Sequence, residues 1–230
     1  MKYLSKEETA LDKTSLSGNI VSEKPRIFDE YSTFFIPYTD RKDLTPSEKT
    51  CVGNYQDVHF WNTQKRNWSF KLPKHWETKP WCYAINSCFR DGAFYDLLID
   101  EEKELIDFNI QNLRSAILKS KSDREYFVYR GVTDINWLKN PKVGTTYTDK
   151  GFGSFTLDFN RAYQYTDIEN PIIFQLKIEK GMNVLFIDRA ECEMLRLNNS
   201  EYIITDIEKI FFKKNLNKET TVYSIEIFKK

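Results

Sequence analysis

The order of elements along the chain predicts an α+β fold: helical signals occupy roughly residues 81–119, and strand signals fill most of the second half. Two patterns carry that expectation. Ile106, Ile110, Leu113 and Ile117 recur at helical spacing, whereas PIIFQLKIEKG, residues 171–181, alternates with a period of two. The shift from the first period to the second divides the chain into a helical part and an antiparallel-rich sheet part.

Residues 1 to about 65 are polar and irregular, with Pro25, Pro37 and Pro46 spaced through short aromatic clusters such as STFFIPY. They are expected to form an N-terminal extension that packs on the domain or carries partner contacts, with the main domain over 66–230. WCYAINSCFRDG, residues 81–92, reads as a short helix stopped near Gly92. The longer helix over 100–120 has acids in its first turn and Lys119 in its last, matching the macrodipole. YFVYR is a strand ending at Gly131. In the 171–181 segment Ile172, Phe174, Leu176 and Ile178 are expected inward, with Gln175, Lys177 and Glu179 outward. NVLFID, EYIITDI and VYSIEIF extend the strand series.

Composition bounds the function classes. The 34 basic residues balance the 34 acidic ones, so no global field gathers nucleic acid or an anionic membrane. Any anion site must be local. KRNWSFKLPKHW, residues 65–76, is the one basic stretch with interleaved aromatics, and a protein contact suits it better than nucleic acid. No run of about 18 apolar residues is present, and the charged start MKYLSKEETALDK does not read as a secretory signal. A cytoplasmic location, or delivery into a target cell by a specialised route, is the expectation, for a monomer. Cys51, Cys82, Cys88 and Cys192 lack metal-ligand spacing, and only His59 and His75 could join them, so reduced thiols and no metal are expected.

Three separated pieces are candidates for one site. Arg130 closes an apolar strand and precedes Gly131, which sets a planar donor fork beside a backbone open to close approach. Such a fork serves either a structural ion pair or an anion site. KGFGSFTLD, residues 150–158, sets Ser154 and Thr156 on one strand face and Phe155 and Leu157 on the other, as a plain strand or as a pair of orienting hydroxyls. In RAECEMLRLNN, residues 189–199, the same period sets Glu191 and Glu193 on one face and turns Cys192 and Met194 away.

The order and spacing of these pieces resemble the Arg/Ser-Thr-Ser/Glu-x-Glu signature of the mono-ADP-ribosyltransferases, in the bacterial exotoxin branch of C3-like and actin-modifying binary toxins. INSCFR resembles the helix that precedes the arginine in that branch, through Ile85, Asn86, Phe89 and Arg90. PIIFQLKIEKG resembles the strand ahead of its glutamates. The middle piece reads Ser154-Phe155-Thr156, so the central hydroxyl of the signature is replaced by a ring.

The resemblance implies N-terminal helices packed on a two-sheet, antiparallel-rich β core. It implies NAD as co-substrate, no metal, a protein acceptor of unknown identity and release of nicotinamide, in a toxin or effector. By position, Arg130, Arg90 and Asn86 would bind the diphosphate, and Gly131 the nicotinamide amide. Thr156 would also face the dinucleotide, and Phe159 would either stack on the nicotinamide ring or pack as a core aromatic. Ser154 would fix Glu193, the carboxylate that stabilises the cationic transition state. Glu191, where glutamate goes with arginine-modifying members, would direct an arginine acceptor. An NAD glycohydrolase, or a non-catalytic NAD-binding module, is the alternative.

Overall fold

Thr45 and Glu48 cap the first helix reciprocally: the Thr45 N–H donates to Glu48 Oε2 at 2.7 Å and the Glu48 N–H donates to Thr45 Oγ1 at 3.2 Å. With Pro46 at the first helical position, this starts α1 (Pro46–Gln56). The structure is a computed structural model that describes residues 43–56, 80–133, 135–138, 141–188, 192–211 and 219–228. The basic stretch over 65–76, both histidines and Glu191 lie outside the described residues.

The reading of residues 1–65 as irregular is corrected for α1. Cys51, Val52 and Tyr55 fall on one face and are buried in the same core as α2 (Trp81–Arg90), α3 (Gly92–Leu97) and α4 (Asp100–Lys119). Polar residues between the apolar ones hid the stripe. α2 ends at Arg90, and the Asp91 side chain accepts from the Ala93 N–H at 3.2 Å to start α3. In α4 the expected stripe of Ile106, Ile110, Leu113 and Ile117 is buried. Each such side chain contributes about 1.5–3 kcal/mol of apolar burial.

A buried polar group clamps the helices. Glu48, 2 % exposed, takes an ion pair from Lys119 at 2.8 Å and a hydrogen bond from Ser115 Oγ at 2.6 Å. Burial pushes its carboxyl up, but Lys119, Ser115 and the Thr45 N–H outweigh burial and bring it down to about 2.

The strands are β1 (Tyr126–Val132), β2 (Thr146–Asp149), β3 (Gly153–Thr156), β4 (Ile172–Ile178), β5 (Leu185–Asp188), β6 (Glu193–Arg196), β7 (Ser200–Phe211) and β8 (Glu219–Ile227). A short helix, α5 (Phe159–Tyr163), follows β3. The strands form one hydrogen-bonded order, β2-β7-β8-β4-β1-β3-β6-β5. Among these pairings only β4 with β8 is parallel.

The expected two-sheet character appears as a seam within that order. β1 meets β3 through the single register pair Tyr129↔Thr156, so β2-β7-β8-β4-β1 and β3-β6-β5 fold toward each other. Val128, Phe155, Phe174, Leu176, Met194 and Tyr202 fill the space between the two parts. The helices cover the outer face of the smaller part, on Phe152, Leu185, Ile187 and Leu195. α5 covers the outer face of the larger part, where Phe159 and Ala162 pack with Tyr129, Ile173 and Val222.

Covering both faces of β4 changes one expectation. Gln175, read as outward, is only 4 % exposed, and its Nε2 donates to Ser224 Oγ at 3.4 Å. The alternation of a strand with one wet face therefore fails here, and a polar side chain is carried inward with a partner.

Candidate active site

A cavity of about 410 Å³ opens where α1, α2, β1, β3, β6 and α5 converge, and its lining includes Asn86, Arg90, Arg130, Gly131, Ser154, Thr156 and Glu193. Seven residues named from sequence thus share one concave surface. Tyr55 and Gln56 from α1 join them.

Ser154 and Glu193 meet across the seam-side pair of strands. β3 and β6 are antiparallel with Ser154↔Leu195 and Thr156↔Glu193 in register, which sets Ser154 diagonal to Glu193. The Ser154 Oγ–H donates to Glu193 Oε1. Thr156 lines the cavity but is 6 % exposed, and its Oγ1 accepts from the Asp158 N–H at 3.0 Å, which helps the chain turn into α5.

The strand-face argument for the two glutamates is corrected. β6 begins at Glu193, and Cys192 has φ 50°, so the chain turns at Cys192 instead of running extended through it. Met194 is buried and Cys192 packs against the same core, as expected. The position of Glu191 falls outside the described residues.

The arginines are held from behind. Arg130 pairs through Nη1 with Asp149 Oδ2, and Arg90 pairs through Nη2 with Asp149 Oδ1 at 3.0 Å. Burial opposes the charge on Arg130, but Asp149 outweighs it and raises the guanidinium further. Burial likewise pushes Asp149 up, while Arg130 and Arg90 hold its carboxyl below the usual range. The Arg130 guanidinium carbon also lies 5.9 Å from the Phe155 ring centroid. The ring that replaces the central hydroxyl of the signature therefore supports the arginine. Arg130 makes the structural ion pair and also lines the cavity.

Asn86 works as a tie. Its Oδ1 accepts from the Phe152 N–H at 2.7 Å and its Nδ2 donates to the Tyr55 hydroxyl at 2.9 Å, joining α2 to the β3 approach and to α1. Phe152 sits between the Tyr55 and Phe89 rings, edge-on to each at 6.1 and 5.7 Å. Burial pushes the Tyr55 phenol well up, with Cys82 and Glu193 adding to the effect, so it stays neutral.

Gly131 is required by packing. A Cβ there would overlap the Ala162 carbonyl oxygen and lie 3.0 Å from the Tyr165 carbonyl carbon, so α5 rests directly on the β1 backbone. Of the two readings of Phe159, packing in the core is the one the structure shows. Phe159 is fully buried against Tyr129, with ring centroids 5.3 Å apart, and does not line the cavity. Asp158 caps α5 by accepting from the Asn160 N–H at 2.9 Å, which starts the helix at Phe159 and turns that ring into the core.

Sequence reasoning missed Tyr55 and Asp149. Thr45-Pro46-x-Glu48, a capping box with proline at its first position, followed by Cys51, Val52 and Tyr55, was the signal for the first. For Asp149 no local signal exists.

No family model matches the chain, and no curated protein matches it. Solved structures do match. C3larvin, an ADP-ribosyltransferase toxin from Paenibacillus larvae, aligns with TM-score 0.53 at 21% identity over 82% of this chain and 99% of that one. Plx2a, another ADP-ribosyltransferase toxin of Paenibacillus larvae, aligns with TM-score 0.52 at 19% identity over 81% and 88%. The ADP-ribosylating toxin BECa of the Clostridium perfringens binary enterotoxin, solved with NADH, gives TM-score 0.54 at 19% identity, over 81% of this chain and 44% of that one. The chain has the fold of the bacterial ADP-ribosyltransferase toxins. Both branches of the sequence resemblance, the C3-like toxins and the enzymatic components of binary toxins, are represented among the structures that share it.

Proposed function

We propose that the protein is an NAD-dependent mono-ADP-ribosyltransferase that moves ADP-ribose from NAD to an arginine of a protein acceptor and releases nicotinamide. The observation that carries this reading is the Ser154–Glu193 hydrogen bond in a cavity that Arg90, Arg130 and Gly131 also line. That arrangement supplies a fixed carboxylate and a cationic wall within one concave site, on a fold shared with ADP-ribosyltransferase toxins.

In this reading Arg130 and Arg90 hold the diphosphate, and Glu193, oriented by Ser154, binds a ribose hydroxyl. The bond from ribose C1′ to the nicotinamide nitrogen breaks through an oxocarbenium-like state that the carboxylate stabilises electrostatically. A guanidine nitrogen of the acceptor forms the new bond to C1′ and loses a proton, and the nicotinamide leaves neutral. Glu191 orients the acceptor guanidinium and assists removal of that proton. Asn86 holds Tyr55 and the β3 approach in place beside the diphosphate, and Gly131 seats α5 over the nicotinamide end.

Incubation with NAD labelled in its ADP-ribose moiety and a eukaryotic cell lysate, followed by mass spectrometry of the labelled site, tests the reading. Label on arginine with the wild type, and none with Glu193→Gln, is expected. Glu191→Gln is expected to lose transfer while retaining NAD hydrolysis. Free ADP-ribose alone would mark a glycohydrolase, and no turnover at all would mark a non-catalytic module.

A further inference from the structure

We propose that Asp149 is a positioning residue for the dinucleotide site, a shared counter-ion that aims the Arg90 and Arg130 guanidiniums at the diphosphate from behind. The inference rests on the NAD reading above. Its basis is the order of exposure: the side chain of Asp149 is 9 % exposed, that of Arg130 25 %, and that of Arg90 42 %. Both arginines line the cavity and Asp149 does not. Each carboxylate oxygen takes one guanidinium, Oδ1 from Arg90 and Oδ2 from Arg130. A guanidinium has five N–H donors, so each arginine keeps donors for a second anion after this pairing.

Two like charges brought onto one ligand repel each other unless a counter-ion lies between them. Asp149 supplies it and also fixes the direction of both planes. Its own position is determined by packing two residues earlier. Tyr147 stacks on Phe174 and Tyr202, with centroids 5.5 and 5.2 Å away, which pins β2 against the larger sheet part. On the other side, Gly151 makes room for Arg90: a Cβ there would come within 2.9 Å of Arg90 Nε. The carboxylate is therefore held by one part of the sheet while it orients side chains from α2 and β1.

Calorimetric titration of the full chain with ADP-ribose, together with thermal melts, tests this. Asp149→Asn is expected to weaken ADP-ribose binding by about 10-fold or more, by analogy with groups that orient metal-ligating side chains; tighter binding, the result if removing its negative charge outweighs loss of aim, overturns the proposal. A purely structural role would lower the Tm and leave the affinity of the folded fraction unchanged, which would overturn the proposal. Asp149→Glu, with its carboxylate displaced by one methylene, is expected to bind between wild type and Asp149→Asn. If Asp149→Asn does not fold, Asp149→Glu carries the test: a several-fold loss supports the proposal and wild-type affinity overturns it. Failure of both variants to fold also overturns it, because Asp149 would then be a folding residue. A wild type that binds neither ADP-ribose nor NAD removes the function reading itself. A wild type that binds, with both variants unchanged, removes only the role of Asp149.

Discussion

Ser154 acts through another residue, and that sets how its loss should register. Its hydroxyl donates to Oε1 of the Glu193 carboxylate, and Glu193 lines the cavity. Ser154→Ala removes the hydrogen bond that orients this carboxylate. A carboxylate misplaced by about 1 Å costs on the order of 100-fold in rate. Ser154→Ala is therefore expected to lower kcat of NAD turnover by about 10–100-fold with the KM for NAD little changed, because the proposed diphosphate contacts, Arg90 and Arg130, are elsewhere. Equal losses in kcat/KM and in ADP-ribose affinity would mean that Ser154 contacts the dinucleotide directly. Ser154, Glu193 and Arg130 were legible in the sequence because their three pieces stand in the order and spacing of the signature; strand period alone does not carry Glu193, since the chain turns at Cys192. Asp149 was not legible, since a lone Asp before Lys150-Gly151 is indistinguishable from a turn residue until α2 and β1 bring their arginines to it. Phe159 stayed open between two readings for the converse reason: position relative to the Ser/Thr segment marked it, but the Asp158 cap decided where its ring points.

At the scale of elements, α1 shows how a buried charge can fix a helix to its neighbour. Glu48 caps its own helix through the Thr45 N–H and pairs with Lys119 at the end of α4, so one carboxylate joins the start of the first to the end of the second. Lys119 is 40 % exposed and turns to water once unpaired, so Glu48→Ala loses the cap on the Thr45 N–H and the bonds from Ser115 and Lys119, an expected cost of about 1–2 kcal/mol. The pH dependence has a defined sign. Glu48 titrates at about 2 when folded, against an ordinary value of 4.5, so its stabilisation is complete above about pH 4.5 and is lost as pH falls through about 2. Acid titrations by circular dichroism should show wild type losing stability across that window. Glu48→Gln should lose less of its stability there, and parallel acid curves would sink the account. α4 was legible because Ile106, Ile110, Leu113 and Ile117 repeat at helical spacing over about three turns. α1 was not read because its 11 residues hold only three core side chains, and its capping box outweighs them as a signal.

At the scale of the whole molecule, the cavity lies where the helical layer, the smaller sheet part and the larger sheet part meet. Tyr55 comes from the first, Ser154 and Glu193 from the second, and Arg130 with Gly131 from the third. The direct strand pairing between the two sheet parts is a single register pair, Tyr129↔Thr156, so side-chain packing between them supplies most of their union. A ligand that touches all three layers binds only when they are assembled, and its binding energy adds to their joint stability. At about 100 times its Kd, ADP-ribose is expected to add about 2.7 kcal/mol. For a chain of this size that corresponds to a rise in Tm of roughly 5–10 °C. Far-ultraviolet dichroism reports the helices, and the fluorine resonance of Trp137 in fluorotryptophan-labelled protein reports the larger sheet part beside Tyr147 and Phe174. Both probes should melt together and shift together with ligand. If the helical signal melts first and only that transition responds to ADP-ribose, the dinucleotide is held by the helical layer alone, and Arg130 is not among its contacts.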